Sequence, residues 1–335
     1  MLAIPDKTAP VTKLADWLEL SILSSKDRRI GFGTLVSASD LSNEEQPEDI
    51  AEQDTADEAL VLSVQSEIKR RRTLIGLDYP FRIDDNGESM HLVDAISDTG
   101  AAYLLCLILS HANDIAIIPK KLAPRITNKV RDLFQACATV AAAGFVQGPA
   151  VSFGWPRPSK TKFLEALHAA YKAFGEGTPV KRPGAAAPAG VKDNGIDIIA
   201  WRVPIDGLAG TQYLLGQVAS GADWVNKSVV ADSIHFHKYW FEHPPESQHQ
   251  DAMFMPFCLE PVSSDPSASY DEVLKDHMRG LVYRYGNVFY RYKVAKFVAD
   301  GIRLHREGPH VIERVEDFPK ISKWVEDYRK KLVAA

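Results

Sequence analysis

Two neighbouring β-rich runs of the sequence each carry one polar side chain suited to metal chemistry. Asp197 lies in the apolar run 195–202, and Gln217 lies near the end of the run 213–219. A lone carboxylate is costly to bury in an apolar strand unless a partner offsets its charge, and a metal ion is a common partner. The two runs therefore predict adjacent strands that share a divalent-cation site. The alternatives are an Asp197 bonded to backbone amides and a Gln217 that is an ordinary strand residue.

Three further side chains are candidates for the same chemistry. Glu165 lies on the polar side of a helix predicted over residues 161–174, and Lys227 lies in a helix predicted from 224 to about 241. Asp223 is placed to cap the second helix, and it is also close enough in sequence to replace a metal ligand. The alternatives are a solvated helix face for Glu165 and a surface position for Lys227.

Apolar periodicity and turn residues predict two domains. Residues 1–150 read as a mostly helical domain, and residues 148–159, with three prolines and two glycines, resemble an inter-domain connector. In the second domain, residues 151–335, a helix is followed by a loop at 175–194 that can hide one short strand. Two strands, a helix, a strand at 252–259 and further helices then complete the predicted order.

Length and composition indicate an ordinary globular protein. The chain has 335 residues, of which 45% are hydrophobic and 25% are charged, enough for two domains with separate cores. The three cysteines show no metal-type spacing, which favours a reducing cytoplasm. We expect no signal peptide, and the apolar run 101–110 is too short to span a membrane.

Charge is distributed unevenly along the chain, although the net charge is only −5. Residues 39–60 hold nine acidic residues and no Lys or Arg, which predicts a solvated loop or helix start. Residues 279–306 hold seven Lys or Arg and one acid, interleaved with tyrosines. This basic segment predicts contact with a DNA backbone, or else an ordinary charged surface. The candidate contact residues are Arg284, Arg291, Lys293 and Lys296.

From residue 160 to 259 the order of elements resembles the αβββαβ core of the PD-(D/E)XK nuclease superfamily, which includes many restriction endonucleases. The resemblance implies that Glu165 matches the helix glutamate, Asp197 the strand aspartate and Gln217 the ligand on the third strand. Ala219 stands where the superfamily has its catalytic lysine, so the resemblance assigns that role to Lys227. The implied fold is this α/β core with a mostly helical N-terminal domain and C-terminal helices.

The resemblance also implies a function. Glu165, Asp197 and Gln217 would hold Mg²⁺, with Mn²⁺ as a substitute, and the enzyme would be a phosphodiesterase that cleaves DNA, by default double-stranded. A bacterial restriction or phage-defence nuclease is the expected setting, with other subunits of a defence system as partners and a homo-oligomer as one assembly.

Two alternatives remain open. The chain can be a non-catalytic subunit that keeps the nuclease fold for DNA binding or assembly, which the residues at 217 and 219 favour. It can also be a helical scaffold without an αβββαβ core. A zinc site is disfavoured because the spacing of its candidate ligands is irregular. Those ligands are His235, His237, His243, His249 and Cys258.

Overall fold

The computed structural model describes residues 2–36, 50–157, 160–260 and 269–335, without the side chains at 50, 52, 222 and 223. The acidic segment before residue 50 and the side chain of Asp223 therefore lie outside the described residues. Two compact units are present: Met1–Lys129 with Pro319–Ala335, and Val130–Phe318. Within the described residues, no helix combines the length and apolar character needed to cross a membrane.

The first unit combines helices with a small sheet. Its helices are α1 (Val11–Ser24), α2 (Ile50–Ile75), α3 (Asp98–Ser110) and α9 (Phe318–Val333), and its strands are β1 (Arg29–Gly31), β2 (Phe81–Ile83) and β3 (Ser89–Leu92). The strands form an antiparallel sheet in the order β1-β3-β2. The prediction of a mostly helical N-terminal part did not include β2 and β3, which have only three and four residues.

The second unit contains the longer series of strands. Its helices are α4 (Asn128–Val146), α5 (Phe163–Phe174), α6 (Val229–Trp240), α7 (Tyr270–Tyr285) and α8 (Arg291–Glu307). Its strands are β4 (Ala150–Ser152), β5 (Thr178–Pro179), β6 (Ile198–Trp201), β7 (Tyr213–Val218), β8 (Phe241–His243), β9 (His249–Phe254) and β10 (Asn287–Phe289).

A five-stranded mixed sheet organises this unit, in the order β10-β9-β7-β6-β4. Strands β4, β6 and β7 are antiparallel neighbours, whereas β7, β9 and β10 run parallel. The parallel step from β7 to β9 passes through α6, as a crossover connection requires. Strands β5 and β8 form a separate pair.

Helices cover both faces of the five-stranded sheet. On one face, Tyr171 of α5 contacts Tyr213, and Gln217 bonds to α6. On the other, Phe254 stacks on Phe289, which contacts Phe145 of α4. Residues alternate between the faces of a strand, so Tyr213 and Gln217 both face α5 and α6.

The division between the units lies near residue 130 rather than at 150. Helix α4 belongs to the second unit because it packs closely against α8, where Gly144 lies against the carbonyl of Phe297 and Gly301 against that of Val140. Residues 148–157, the described part of the expected connector 148–159, do not form a connector, since they contain β4, an edge strand of the five-stranded sheet. The loop 175–194 supplies only the short β5, which is not part of that sheet.

Candidate active site

Asp197 and Gln217 lie side by side at one end of the sheet. Ile198 pairs with Gly216 in the antiparallel register of β6 and β7, which places the preceding Asp197 next to the following Gln217. The Asp197 amide donates to the Gly216 carbonyl at 2.8 Å, and the Val218 amide donates to Asp197 Oδ2, also at 2.8 Å. One carboxylate oxygen is therefore bonded to a backbone amide, and the other remains to be accounted for.

The second oxygen of Asp197 lies against a glycine. A β-carbon at Gly154 would be only 2.5 Å from Asp197 Oδ1 and 2.5 Å from Gln135 Nε2, so a larger residue at 154 would displace one of them. The amides of Phe153 and Gly154 both donate to the Asp197 carbonyl, at 2.7 and 2.9 Å. The segment that follows β4 therefore holds Asp197 in place from outside the strand pair.

Two further aspartates complete what we call the Asp197 cluster, defined as Asp193, Asp197, Gln217, Lys227 and Asp232. Asp232 lies in the first turn of α6, and its Oδ2 accepts a hydrogen bond from Gln217 Nε2 at 3.0 Å. Asp193 precedes the tight turn at Gly195, where φ is 78°, and its Oδ1 accepts from the Gly195 amide at 3.1 Å. Any β-carbon at Gly195 would collide with the Asp232 carboxylate.

Two carboxyls of this cluster, those of Asp197 and Asp232, resist ionisation. The pKa of Asp197 is raised to about 7, chiefly by burial and also by the charges of Asp193 and Asp232, while the Val218 amide and the Lys227 ammonium act to lower it. Burial also raises the pKa of Asp232, although its bond to Gln217 acts in the opposite direction. Because the cost arises from negative charge held away from water, a bound cation would relieve it.

Gln217 offers an oxygen that the protein itself leaves unused. Its Nε2 donates to the Gly195 carbonyl and to Asp232 Oδ2, each at 3.0 Å. Its Oε1 is buried and accepts no hydrogen bond. An unmet buried acceptor costs about 1–3 kcal/mol, so such an atom calls for a ligand.

Lys227 lies just before α6 rather than within it. Its Nζ donates to the Val218 carbonyl at 2.8 Å, and its charge lowers the pKa of both Asp197 and Asp232. The ammonium therefore lies beside the candidate ligands, on the same short segment that follows Gln217. Its present hydrogen bond is to the backbone.

Glu165 is placed elsewhere. It is exposed and lines a cavity of about 610 Å³ between α5 and the β4 edge, where Phe153, Trp201 and Glu313 also contribute. The charges that act on Asp197 come instead from Asp193, Lys227 and Asp232. The assignment of Glu165 as a ligand is therefore corrected. The reason is that β4 is the neighbour of β6, so α5 follows the first strand of the sheet instead of preceding it.

The Asp197 cluster offers few ligands to a divalent cation, so waters would have to complete the coordination. Within the described part of the chain, no three His, Cys, Asp or Glu side chains converge to hold a metal ion. Asp197, Asp232 and the Gln217 amide oxygen instead offer two carboxylates and one neutral oxygen. Mg²⁺ is commonly held by one or two carboxylates while it keeps several waters. Two carboxylates and one amide oxygen are therefore enough protein ligands for Mg²⁺.

The basic segment 279–306 is only partly a surface. Arg291 is fully buried and donates from Nε to the Pro256 carbonyl at 3.3 Å, so it does not contact DNA there. Arg284 is exposed above the Tyr285 ring, and Lys296 is bonded to Asp300. Lys293 lies beside Tyr290, and burial lowers its pKa. Three of the four candidate contacts thus remain accessible or partly so.

Comparisons with protein-family models, with curated proteins and with solved structures found no match for the chain. The geometry of the Asp197 cluster is therefore the basis for a proposed function.

Proposed function

We propose that the second unit is a Mg²⁺-dependent phosphodiesterase that cleaves DNA, with the Asp197 cluster as its active site. The observation that carries the proposal is the buried, unbonded Oε1 of Gln217 beside two carboxyls with raised pKa values. A cation with open coordination positions would stabilise the charged form of both carboxyls and would bond to the Gln217 oxygen.

The order of elements also supports the proposal. Helix α4, the antiparallel strands β4, β6 and β7, helix α6 and strand β9 follow the αβββαβ order, with α5 inserted after the first strand. This differs from the arrangement expected from the sequence, in which α5 was the first helix of the core. Asp197 and Gln217 nevertheless occupy the second and third strand positions in both.

Each residue of the cluster has a distinct part in the proposed mechanism. Asp197 and Asp232 would hold the cation, and Gln217 would add its amide oxygen while its Nε2 orients Asp232. When bound, Mg²⁺ or Mn²⁺ would activate a water and offset charge on the scissile phosphate. Lys227 would exchange its bond to the Val218 carbonyl for the phosphate, where its ammonium would stabilise the developing negative charge. Asp193 holds the loop through the Gly195 and Trp155 amides.

The test is cleavage of linear and supercoiled plasmid with Mg²⁺ or Mn²⁺. We expect wild type to cut and Asp197→Ala to lose cutting. Asp206→Ala is the matched control, because Asp206 is an exposed aspartate in the loop between β6 and β7. Equal cutting by wild type and Asp197→Ala would remove Asp197 from the mechanism.

The second candidate is a non-catalytic DNA-binding or assembly subunit in the same fold. Its support is Lys227, which is bonded to a backbone carbonyl, together with Ala219 at the lysine position of the superfamily. It expects no cutting by any variant, even when other subunits of a defence system are added. For both candidates we propose the cytoplasm as the location, DNA as the partner and a homo-oligomer as one assembly.

A further inference from the structure

An exposed tryptophan lies next to the Asp197 cluster. Trp155 follows Gly154, whose amide donates to the Asp197 carbonyl, and the Trp155 amide donates to Asp193 Oδ2 at 3.2 Å. Its side chain is 44% exposed, and no other tryptophan in the described part of the chain is exposed. A large aromatic surface in water, fixed by its backbone to a candidate active site, is typical of a binding residue.

Two cations brace this ring. Arg157 Cζ lies 5.7 Å from the ring centroid, and Lys192 Nζ lies 5.9 Å from it. Arg157 is itself buried, since its guanidinium rests on Phe153 and donates to the carbonyls of Thr161 and Lys192. Lys192 is exposed, so its charge remains available to an anion. Arg157 therefore supports the ring from within the protein, and the exposed Lys192 ammonium lies over the ring, where a phosphate can reach it.

We propose that Trp155 is a stacking platform for an unpaired nucleobase of the substrate, with Lys192 at the adjoining phosphate. The inference rests on the proposed function and narrows it, because the substrate is then single-stranded DNA rather than an intact duplex. Bases in a duplex are stacked on one another, and their faces are not available to a side chain.

Trp155 follows Gly154, whose amide donates to the Asp197 carbonyl, so the Cα atoms of these two residues are about 3.8 Å apart. In this proposal a base on the ring belongs to a nucleotide close to the one at the cation site. Stacking of this kind does not depend on sequence, since every base has an aromatic face.

The experiment measures binding without cleavage. The full chain is titrated in EDTA against a labelled single strand of about 12 nucleotides and against the matching duplex, with fluorescence anisotropy as the readout. We expect Trp155→Ala to weaken single-strand binding about tenfold, within the usual range for loss of one stacked base, and Trp155→Phe to retain most of it. Tyr270→Ala is the control, because Tyr270 is 45% exposed and lies outside both the Asp197 cluster and the basic segment 279–306 in sequence.

An abasic nucleotide identifies the stacked base. When one position of the strand lacks its base, wild type should lose affinity at that position, whereas Trp155→Ala should show no further loss. Unchanged single-strand binding by Trp155→Ala, or an equal loss for strand and duplex, would overturn the platform.

The platform and the nuclease fail in different ways. Loss of binding in Trp155→Ala, with no Mg²⁺-dependent cleavage of the single strand or of plasmid by wild type, would keep the platform and favour the non-catalytic subunit. Cleavage of plasmid without single-strand binding would keep the nuclease and overturn the platform.

Discussion

Each unit contains a cluster of acidic side chains, and the two clusters differ in how their charge is compensated. The acids of the first unit's cluster are buried, and those of the second unit's cluster are half-buried. The first unit contains what we call the Arg71 cluster: Asp16, Glu19, Glu67, Arg71, Tyr79, Tyr103 and His111. Arg71 lies 2.6 Å from Asp16 Oδ1, 2.8 Å from Glu19 Oε1 and 2.9 Å from Glu67 Oε1. One buried guanidinium thus bonds to three carboxylates on two helices.

The remaining oxygens of the Arg71 cluster are also bonded. His111 Nε2 lies 2.6 Å from Asp16 Oδ2, and the Tyr103 hydroxyl donates to Glu19 Oε2 at 2.7 Å. Burial alone would raise the pKa of Glu67, yet the net pKa is lowered because Arg71 and Arg70 outweigh it. Complete pairing of this kind ties α1, α2 and α3 together and leaves no group open to a ligand.

The Asp197 cluster has the opposite balance. The pKa values of Asp197 and Asp232 are raised. Lys227 is bonded to a backbone carbonyl, and Gln217 Oε1 accepts no hydrogen bond. The difference teaches that burial of acids does not by itself indicate a functional site. The informative sign is burial that the protein leaves uncompensated.

The largest effect should come from breaking the compensated cluster. Arg71→Met leaves three buried carboxylates without their guanidinium and should lower the free energy of unfolding by about 3–5 kcal/mol. Urea denaturation followed by circular dichroism measures it. Arg279→Met is the control, because Arg279 pairs with Asp276 on the surface and its loss should cost less than about 1 kcal/mol. Equal stability of Arg71→Met and wild type would end the structural interpretation of the Arg71 cluster.

The second prediction compares Asp232, which the structure places beside Gln217, with Glu165, which the family resemblance assigned as a ligand. Asp232→Asn should reduce the rate of DNA cleavage by about 100-fold or more, since it removes a proposed cation ligand. Glu165→Gln should leave the rate within about threefold, since Glu165 lines a cavity away from the charges that act on Asp197. Rates are measured on one plasmid at saturating Mg²⁺. A larger loss of rate in Glu165→Gln than in Asp232→Asn would mean that Glu165, and not Asp232, is the cation ligand.

The sequence was sufficient for the strand pair, because alternation and a polar turn are local signals. It also placed Asp197 and Gln217 on those strands. It could not identify β4, whose three residues lie among prolines and glycines and pair with a strand about fifty positions later. Nor could it identify Asp232, since its approach to Gln217 depends on where α6 begins and on the left-handed turn at Gly195. Buried Arg291 was misassigned because its acceptor, the Pro256 carbonyl, is distant in sequence.

The two clusters should also respond to pH with opposite signs. Asp197 holds its proton more tightly when folded, with a pKa of about 7 against an ordinary 3.8, so its contribution to stability falls as pH rises from about 4 to 7. The pKa of Glu67 is lowered, so its contribution is present above its ordinary pKa of 4.5 and is lost as pH falls.

We therefore expect wild type to lose roughly 2 kcal/mol relative to Asp197→Asn between about pH 5 and pH 8 in EDTA, after allowance for solvent screening. Urea denaturation at the two pH values measures this difference. Glu67→Gln should have a lower free energy of unfolding than wild type at neutral pH, and this difference should disappear only under acidic conditions. If the difference in free energy of unfolding between wild type and Asp197→Asn were the same at both pH values, the pKa of Asp197 would not be raised in the folded protein.

The smallest effect tests the unused oxygen of Gln217. Gln217→Glu adds a negative charge and removes the Nε2 donor to Asp232, so the variant should be less stable than wild type in EDTA by about 1 kcal/mol. With Mg²⁺ the added carboxylate becomes a ligand, and the Mg²⁺ concentration at half-maximal stabilisation should fall about tenfold, which corresponds to about 1.4 kcal/mol. Thermal denaturation across a Mg²⁺ titration measures both. Gln217→Leu is the control, since it removes the oxygen without adding charge and should weaken the Mg²⁺ response. Equal Mg²⁺ responses in all three proteins would mean that Gln217 is not a ligand of the cation.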